Sequence, residues 1–392
     1  MPVLVLIVFV SMLGNSVLAP LIPFYALRLG VTPEYITILA AVFSVFQFIG
    51  APIWGRISDR VGRKPVLIGT VAGTAIGFVL LAFADSIWLL LLARIVGGFA
   101  AGNLSTAYAY VSDITTSETR AAGMGKVGAA FGLGFVVGPV ISGFLAGGDS
   151  LVDANFVRPA LASATLAIIA LLGTIFFLKE SKMPNPAARR VPAHPFAPMR
   201  AVLRNRNLAM VLILGAICFT AVAQRETTVA LWLHDFFGMS PRELGYVFAY
   251  VGLLITIFQG AALARLSRRI GDGRVLISGI VVYIVGLICL VVTDGIPLLI
   301  VGTTCNAYGT AVLSITLPTV ASKLARPDER GLVMGAYQGA ASFGRFLGPA
   351  FSGTIYAHVG HTAPFASGAA GLCIGLVLAV ILQRRLQAAA ES

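Results

Sequence analysis

Apolar residues dominate this chain in long stretches, and polar residues cluster in the short breaks between them. Marking the stretches predicts twelve helices, at roughly 3–27, 33–54, 65–84, 87–111, 121–146, 157–178, 207–233, 243–264, 274–293, 296–321, 331–356 and 363–383. A helix rises ~1.5 Å per residue, so ~20 apolar residues cross a ~30 Å hydrocarbon core. The alternating pattern of a β-barrel is absent. The four leucines at 89–92 and the apolar run at 376–382 suit helices facing lipid.

Composition agrees with that pattern. Of 392 residues, 58% are hydrophobic and 11% charged, against about 25% charged in a soluble domain. Sixteen acids and 28 basic residues cannot cover two or three soluble domains with a charged surface. The expectation is an all-α integral membrane protein, which excludes a disordered chain, a disulfide scaffold and a nucleic-acid binder. The first apolar stretch has no charged leading region and no small-residue cleavage site, so it reads as helix 1 rather than a signal peptide. Cys218, Cys289, Cys305 and Cys373 lie far apart inside apolar runs and read as small buried hydrophobes.

The net charge of +12 becomes topological once the charges are located. With the N-terminus placed in the cytoplasm, 22 of 28 basic residues fall in cytoplasmic loops, the tail or their helix ends. Arg28, Arg158 and Arg242 lie outside, and Arg94, Arg225 and Arg345 fall within spans. This is a strong positive-inside asymmetry. The longest polar stretch runs from Lys179 to Arg206 and carries Pro184, Pro186, Pro192, Pro195 and Pro198. It predicts a six-helix bundle at 1–178, a cytoplasmic linker at 179–206 and a second bundle with a short cytoplasmic tail at 207–392.

The two halves repeat. Arg120, Met124, Gly134, Gly138, Pro139 and Gly143 recur 210 residues later as Arg330, Met334, Gly344, Gly348, Pro349 and Gly353. The segment Gly55-Arg-Ile-Ser-Asp59-Arg-Val-Gly62 matches Ala264-Arg-Leu-Ser-Arg268-Arg-Ile-Gly271 at an offset of 209. Six spans per repeat preserve orientation, so these are parallel repeats, the arrangement of a transporter with its site between repeats.

Specific motifs then suggest a family. The segment from Gly55 to Pro65, with Asp59, Arg60, Gly62, Arg63 and Lys64, resembles the signature loop of the major facilitator superfamily. Arg94-x3-Gly98 resembles its second motif. Gly134-x3-Gly138-Pro139-x2-Ser142-Gly143 resembles the antiporter motif of drug exporters, and Gly14-x5-Pro20-x2-Pro23 resembles that of their twelve-span branch. The likeness covers the whole chain and is greatest to tetracycline and multidrug proton antiporters. It implies the major facilitator fold of two six-helix parallel pseudo-repeats, rocking about a central cavity in a bacterial inner membrane. It also implies a monomer with small-molecule, proton and lipid partners.

The resemblance implies roles for particular residues. Gly55, Asp59, Arg60, Gly62, Arg63, Lys64 and Arg120 would form the gating motif, with Asp113 joining the gate. Gly134, Gly138, Pro139 and Gly143 would form a packing and hinge element between the halves. Cavity candidates are Asn15, Tyr25, Arg94, Asn103, Tyr108, Gln224, Arg225, Trp232, Asn306, Tyr337 and Gln338; each aromatic also reads as packing or lipid-facing, and each asparagine as an interhelical hydrogen bonder.

The acids sort quickly. Of sixteen, only Glu226 sits well inside a span. Ionisable groups at that depth are functional candidates by default. Desolvation disfavours a charged carboxylate, so an acid there can take up a proton on one side and release it on the other, with Asp113 as a second carrier at the cytoplasmic end. The alternative is a structural ion pair with Arg94 or Arg225, of which Arg94 is the better geometric partner because neighbours on a helix point ~100° apart. Asn15, Cys305 and Asn306 stand where related pumps carry further acids.

The expected function is proton-coupled efflux of lipophilic or cationic drugs. The alternative is a carrier of a native metabolite such as a sugar, an organic anion or a siderophore. No metal spacing, phosphate loop or nucleophile with a base is present in the sequence, so neither enzyme chemistry nor a cofactor is expected beyond the proton gradient as energy source.

Overall fold

The computed structural model describes residues 2–18, 21–115, 126–127, 130, 133–134, 137–139, 141–142, 144–147, 155–181, 205–259, 263–325 and 330–391. Among these residues there is helix and no strand. The first half holds α1 (Pro2–Leu18), α2 (Ile22–Arg28), α3 (Pro33–Val61), α4 (Arg63–Ala82), α5 (Ile87–Ala101), α6 (Leu104–Ile114) and α7 (Val157–Phe177). The described residues between 126 and 146 are helical as well. The second half holds α8 (Arg206–Phe237), α9 (Pro241–Ile257), α10 (Leu263–Ile270), α11 (Asp272–Val292), α12 (Ile296–Leu324), α13 (Arg330–His358) and α14 (Ala363–Glu391).

These helices follow the twelve apolar runs. Among the described residues, eight stretches are long and apolar enough to cross a membrane by length and composition, α5 and α6 together counting as one. The fourth expected span is broken into α5 and α6 at Gly102 and Asn103. The break has a steric cause. A Cβ on Gly102 would lie 2.6 Å from the backbone nitrogen of Ala51, so α3 occupies the space where a side chain would go. The eighth span takes π-helical geometry at Phe258 and Gln259.

Elements begin and end where local chemistry dictates. Pro33 opens α3 behind an extended Thr32, where its missing N–H costs nothing. Ser86 caps α5 by accepting from the backbone N–H of Leu89 at 3.4 Å.

The chain divides into two compact units, Met1–Val191 with Leu233–Gly252, and Pro192–Trp232 with Leu253–Ser392. In the first, α4 packs against both α5 and α7; in the second, α11 packs against both α12 and α14. The same helix is central in each repeat. The first core includes Leu67, Val71, Phe78, Leu81 and Leu90, and the second Tyr283, Leu287, Leu313, Leu317 and Leu372. Facing outward are Trp88, Phe144, Phe176, Phe177 and Ile374, a surface for lipid rather than water. Cys218 is buried as expected, whereas Cys373 is exposed on that face.

Candidate functional site

Helix α8 carries Gln224-Arg225-Glu226-Thr227-Thr228, and the 100° turn per residue sends these side chains to different neighbours. Gln224 donates to the hydroxyl of Ser367 on α14 at 2.8 Å. Arg225, buried, donates from Nε to the Tyr283 hydroxyl on α11 at 3.1 Å. Thr227 meets Ser352 of α13 at 3.2 Å. Glu226 is half-buried, and the charges it feels are those of Arg225 and Arg345. Within this unit the second cation near it is Arg345 of α13.

Glycine brings Arg345 there. A Cβ on Gly344 would lie 2.4 Å from the Ala216 carbonyl oxygen, and one on Gly348 would lie 2.6 Å from that of Thr220. Backbone therefore touches backbone where α13 crosses α8. The Arg345 guanidinium lies 5.0 Å over the Phe219 ring and donates to Ser342 at 3.4 Å. Tyr337, two turns earlier on α13 and within the field of Arg345, is buried with its hydroxyl unpartnered among the described residues; Gln338 next to it is half-buried.

Other cavity candidates are absorbed by packing. Trp232 is buried with its ring edge-on to Phe365. Asn306 is fully buried against Gly286 of α11, and neither amide atom has a partner among the described residues. In the first unit, Tyr25 donates to the Ala84 carbonyl and stacks on Phe156 at 5.1 Å. Asn103 is buried at the α5–α6 break, and Tyr108 packs half-buried against the core. Arg94 is buried with its guanidinium 5.3 Å over the Phe43 ring, its Nε unpartnered among the described residues. The Asn15 side chain, Arg120 and Gly143 lie outside the described residues.

The motif at 55–65 is tighter than a loop. Helix α3 continues through Gly55 to Val61, α4 starts at Arg63, and Gly62 alone joins them. Gly62 has φ +102°, a region that only glycine enters readily. Arg63 is buried and binds Asp59 and Asp113 at 2.9 Å each and Ser58 at 2.6 Å. Asp113 also accepts from Ser181 at 3.2 Å. Glu180, which the sequence placed only in the linker, accepts from the backbone N–H groups of Arg63 at 2.8 Å and Lys64 at 3.1 Å. A carboxylate suits this exposed helix start. Lys64 donates to the Ile175 carbonyl at 2.7 Å, while Arg60 is exposed.

The second unit repeats this node with every charge reversed. Arg268, Asp272 and Lys323 stand 209 or 210 residues after Asp59, Arg63 and Asp113. Lys323 pairs with Asp272 at 2.5 Å, and Ser267, the counterpart of Ser58, donates to Asp272. Gly271, at φ +83°, is again the one residue between helices. The repeat offset was the signal that could have located Lys323 in advance.

The first antiporter-motif copy packs on α1. A Cβ on Gly134 would lie 2.7 Å from the Phe9 carbonyl oxygen, and one on Gly138 would lie 2.7 Å from the Val17 nitrogen. Pro139 is buried beside them. The two motif copies thus make equivalent glycine-lined crossings, 134–138 on α1 and 344–348 on α8.

The family model described as Major Facilitator Superfamily matches residues 4–258 and 226–391. The chain is 31% identical to the class C tetracycline resistance protein of Escherichia coli over 330 residues, covering 82% of this chain and 79% of that protein. It is 25% identical to multidrug resistance protein 2 of Bacillus subtilis (strain 168) over 399 residues, covering 98% and 95%. The crystal structure of the human organic anion transporter MFSD10 (TETRAN) superposes with a TM-score of 0.71 at 24% identity, covering 96% and 98%. With its duplicated six-helix pattern, its signature motif around Gly62 and these relatives, the chain belongs to the Major Facilitator Superfamily, a family of transporters and not enzymes, among whose members it resembles tetracycline and multidrug resistance proteins.

Proposed function

We propose that this protein expels lipophilic drugs by alternating access driven by protons exchanged at Glu226. The observation that carries this reading is the placement of Glu226: the one acid well inside a span, half-buried, in the field of Arg225 and Arg345. A carboxylate that is neither fully enclosed nor locked in an ion pair can change protonation as access alternates. Asp113, engaged by Arg63 and Ser181, fits the gate better than a proton path. The charge asymmetry supports an inner-membrane orientation with both termini cytoplasmic, and the family habit supports a monomer.

The test is transport in proteoliposomes under an imposed pH gradient. Glu226→Gln is expected to abolish gradient-driven accumulation while substrate still exchanges down its own gradient. Uphill accumulation equal to wild type in that variant would remove the proposal. Asp59→Asn is expected to lower the transport rate several-fold at equal membrane abundance, since it frees one arm of the Arg63 node; an unchanged rate would take Asp59 out of the gate.

A second reading, a carrier of a native anionic metabolite, is favoured by Arg94, a buried guanidinium with no ion pair among the described residues. It uses the same machinery and differs in the substrate that the gradient moves.

A further inference from the structure

We propose that Arg345, with the Tyr337 hydroxyl and the Phe219 ring, is the seat for an anionic head group, a carboxylate carried on an aromatic or otherwise apolar body. The inference rests on the transporter reading above and names the charge of the substrate at that site.

The charge count comes first. Two guanidinium groups, Arg225 and Arg345, share this part of the second unit with one carboxylate, Glu226. With Glu226 ionised the cluster carries one surplus positive charge; with Glu226 protonated it carries two. A monoanion reduces the surplus in either state, and a cation raises it in both. Uncompensated charge inside the membrane is costly.

Hydrogen-bond capacity locates the seat. Arg225 is enclosed and already spends its Nε on Tyr283. Arg345 is only half-buried, and its single hydrogen bond among the described residues is a long one to Ser342. Its flat face rests on Phe219, which leaves the edge of the fork free for the two oxygens of a carboxylate. Tyr337 supplies an independent sign of a ligand: it is 3% exposed, and its hydroxyl donates to nothing among the described residues. A phenol beside a guanidinium offers a third donor to an acceptor-only group. Phe219, half-buried, provides apolar surface for the body of the molecule.

The test measures equilibrium binding of three dyes that share one fluorophore, dansylglycine (anionic), dansylamide (neutral) and dansylcadaverine (cationic), to the purified full-length protein. Wild type is expected to bind dansylglycine most tightly. Arg345→Gln is expected to weaken dansylglycine about tenfold or more relative to dansylamide, the scale of a lost hydrogen bond to a charged group. Tyr337→Phe should give a smaller loss of the same kind. Arg345→Lys, which keeps the charge and loses the fork, should recover part of the preference and serves as the folding control. Preference for dansylcadaverine in wild type, no binding of dansylglycine, or an Arg345→Gln protein with an unchanged preference ratio would each overturn the proposal. The assay involves no gradient, so a failure of proton coupling at Glu226 is read separately in the proteoliposome experiment.

Discussion

Replacing Gly138 by leucine is expected to leave almost no folded protein in the membrane. The first added carbon would already lie 1.8 Å from the Ser16 hydroxyl oxygen and 2.7 Å from the Val17 backbone nitrogen. Ser16 has little freedom to yield, because its hydroxyl donates to the Gly134 carbonyl at 2.7 Å. The Val17 nitrogen is backbone, so relief requires α1 to move as a whole. Overpacking a close contact costs about 1–3 kcal/mol when side chains can adjust, and more when backbone must shift. Gly335 provides the contrast, since a Cβ there meets nothing within 4 Å. Gly335→Leu should therefore behave as wild type. The measurement is detergent-extracted yield with a size-exclusion profile and an apparent melting temperature. A monodisperse Gly138→Leu protein with the wild-type melting temperature would show that α1 is not held at this crossing.

The second large effect is at Arg63. Arg63→Gln would leave the Asp59 and Asp113 carboxylates facing a neutral amide, with Glu180 close by on the backbone of the same turn. Removing one partner of a buried ion pair costs about 3–5 kcal/mol, and the partial exposure of Asp59 places this case near the lower end. The equivalent ion pair of the second half reads differently. Lys323 is 69% exposed at its side chain, and exposed pairs are worth about 0–1 kcal/mol. The expected result is a markedly lower apparent melting temperature for Arg63→Gln and a value within scatter of wild type for Lys323→Gln. Equal losses would mean that the burial of Arg63 does not set the energetics of the node.

The two nodes also show what repetition preserves. Gly62 and Gly271 keep the same positive-φ hinge between consecutive helices, and a serine supports the central charge in both. The charges themselves are exchanged throughout. Glu180 clasps only the first node: a Cβ on Gly62 would lie 2.5 Å from its carboxylate oxygen, whereas one on Gly271 meets nothing within 4 Å. The halves thus share a backbone plan and differ in polarity and attachment.

Much of this was legible in the chain itself. The apolar run lengths determined helices that cross a bilayer, because only a helix satisfies its own backbone over ~20 residues without water. The 210-residue offset determined two equivalent bundles, and the signature around Gly62 identified the family. The depth of Glu226 in its span was likewise readable, since depth depends only on position along one helix. Tertiary structure alone decided the partners. Arg345 meets the field of Glu226 because Gly344 and Gly348 let α13 press onto α8, and no local pattern specifies which of several glycine-bearing helices crosses which. Asn306 and Trp232 are cavity candidates in sequence, and only the fold sets Asn306 against Gly286 of α11 and Trp232 against the ring of Phe365. The break that divides the fourth span escaped notice because apolar pattern reports what lipid or core will accept, whereas this break is set by the backbone of α3 lying against Gly102.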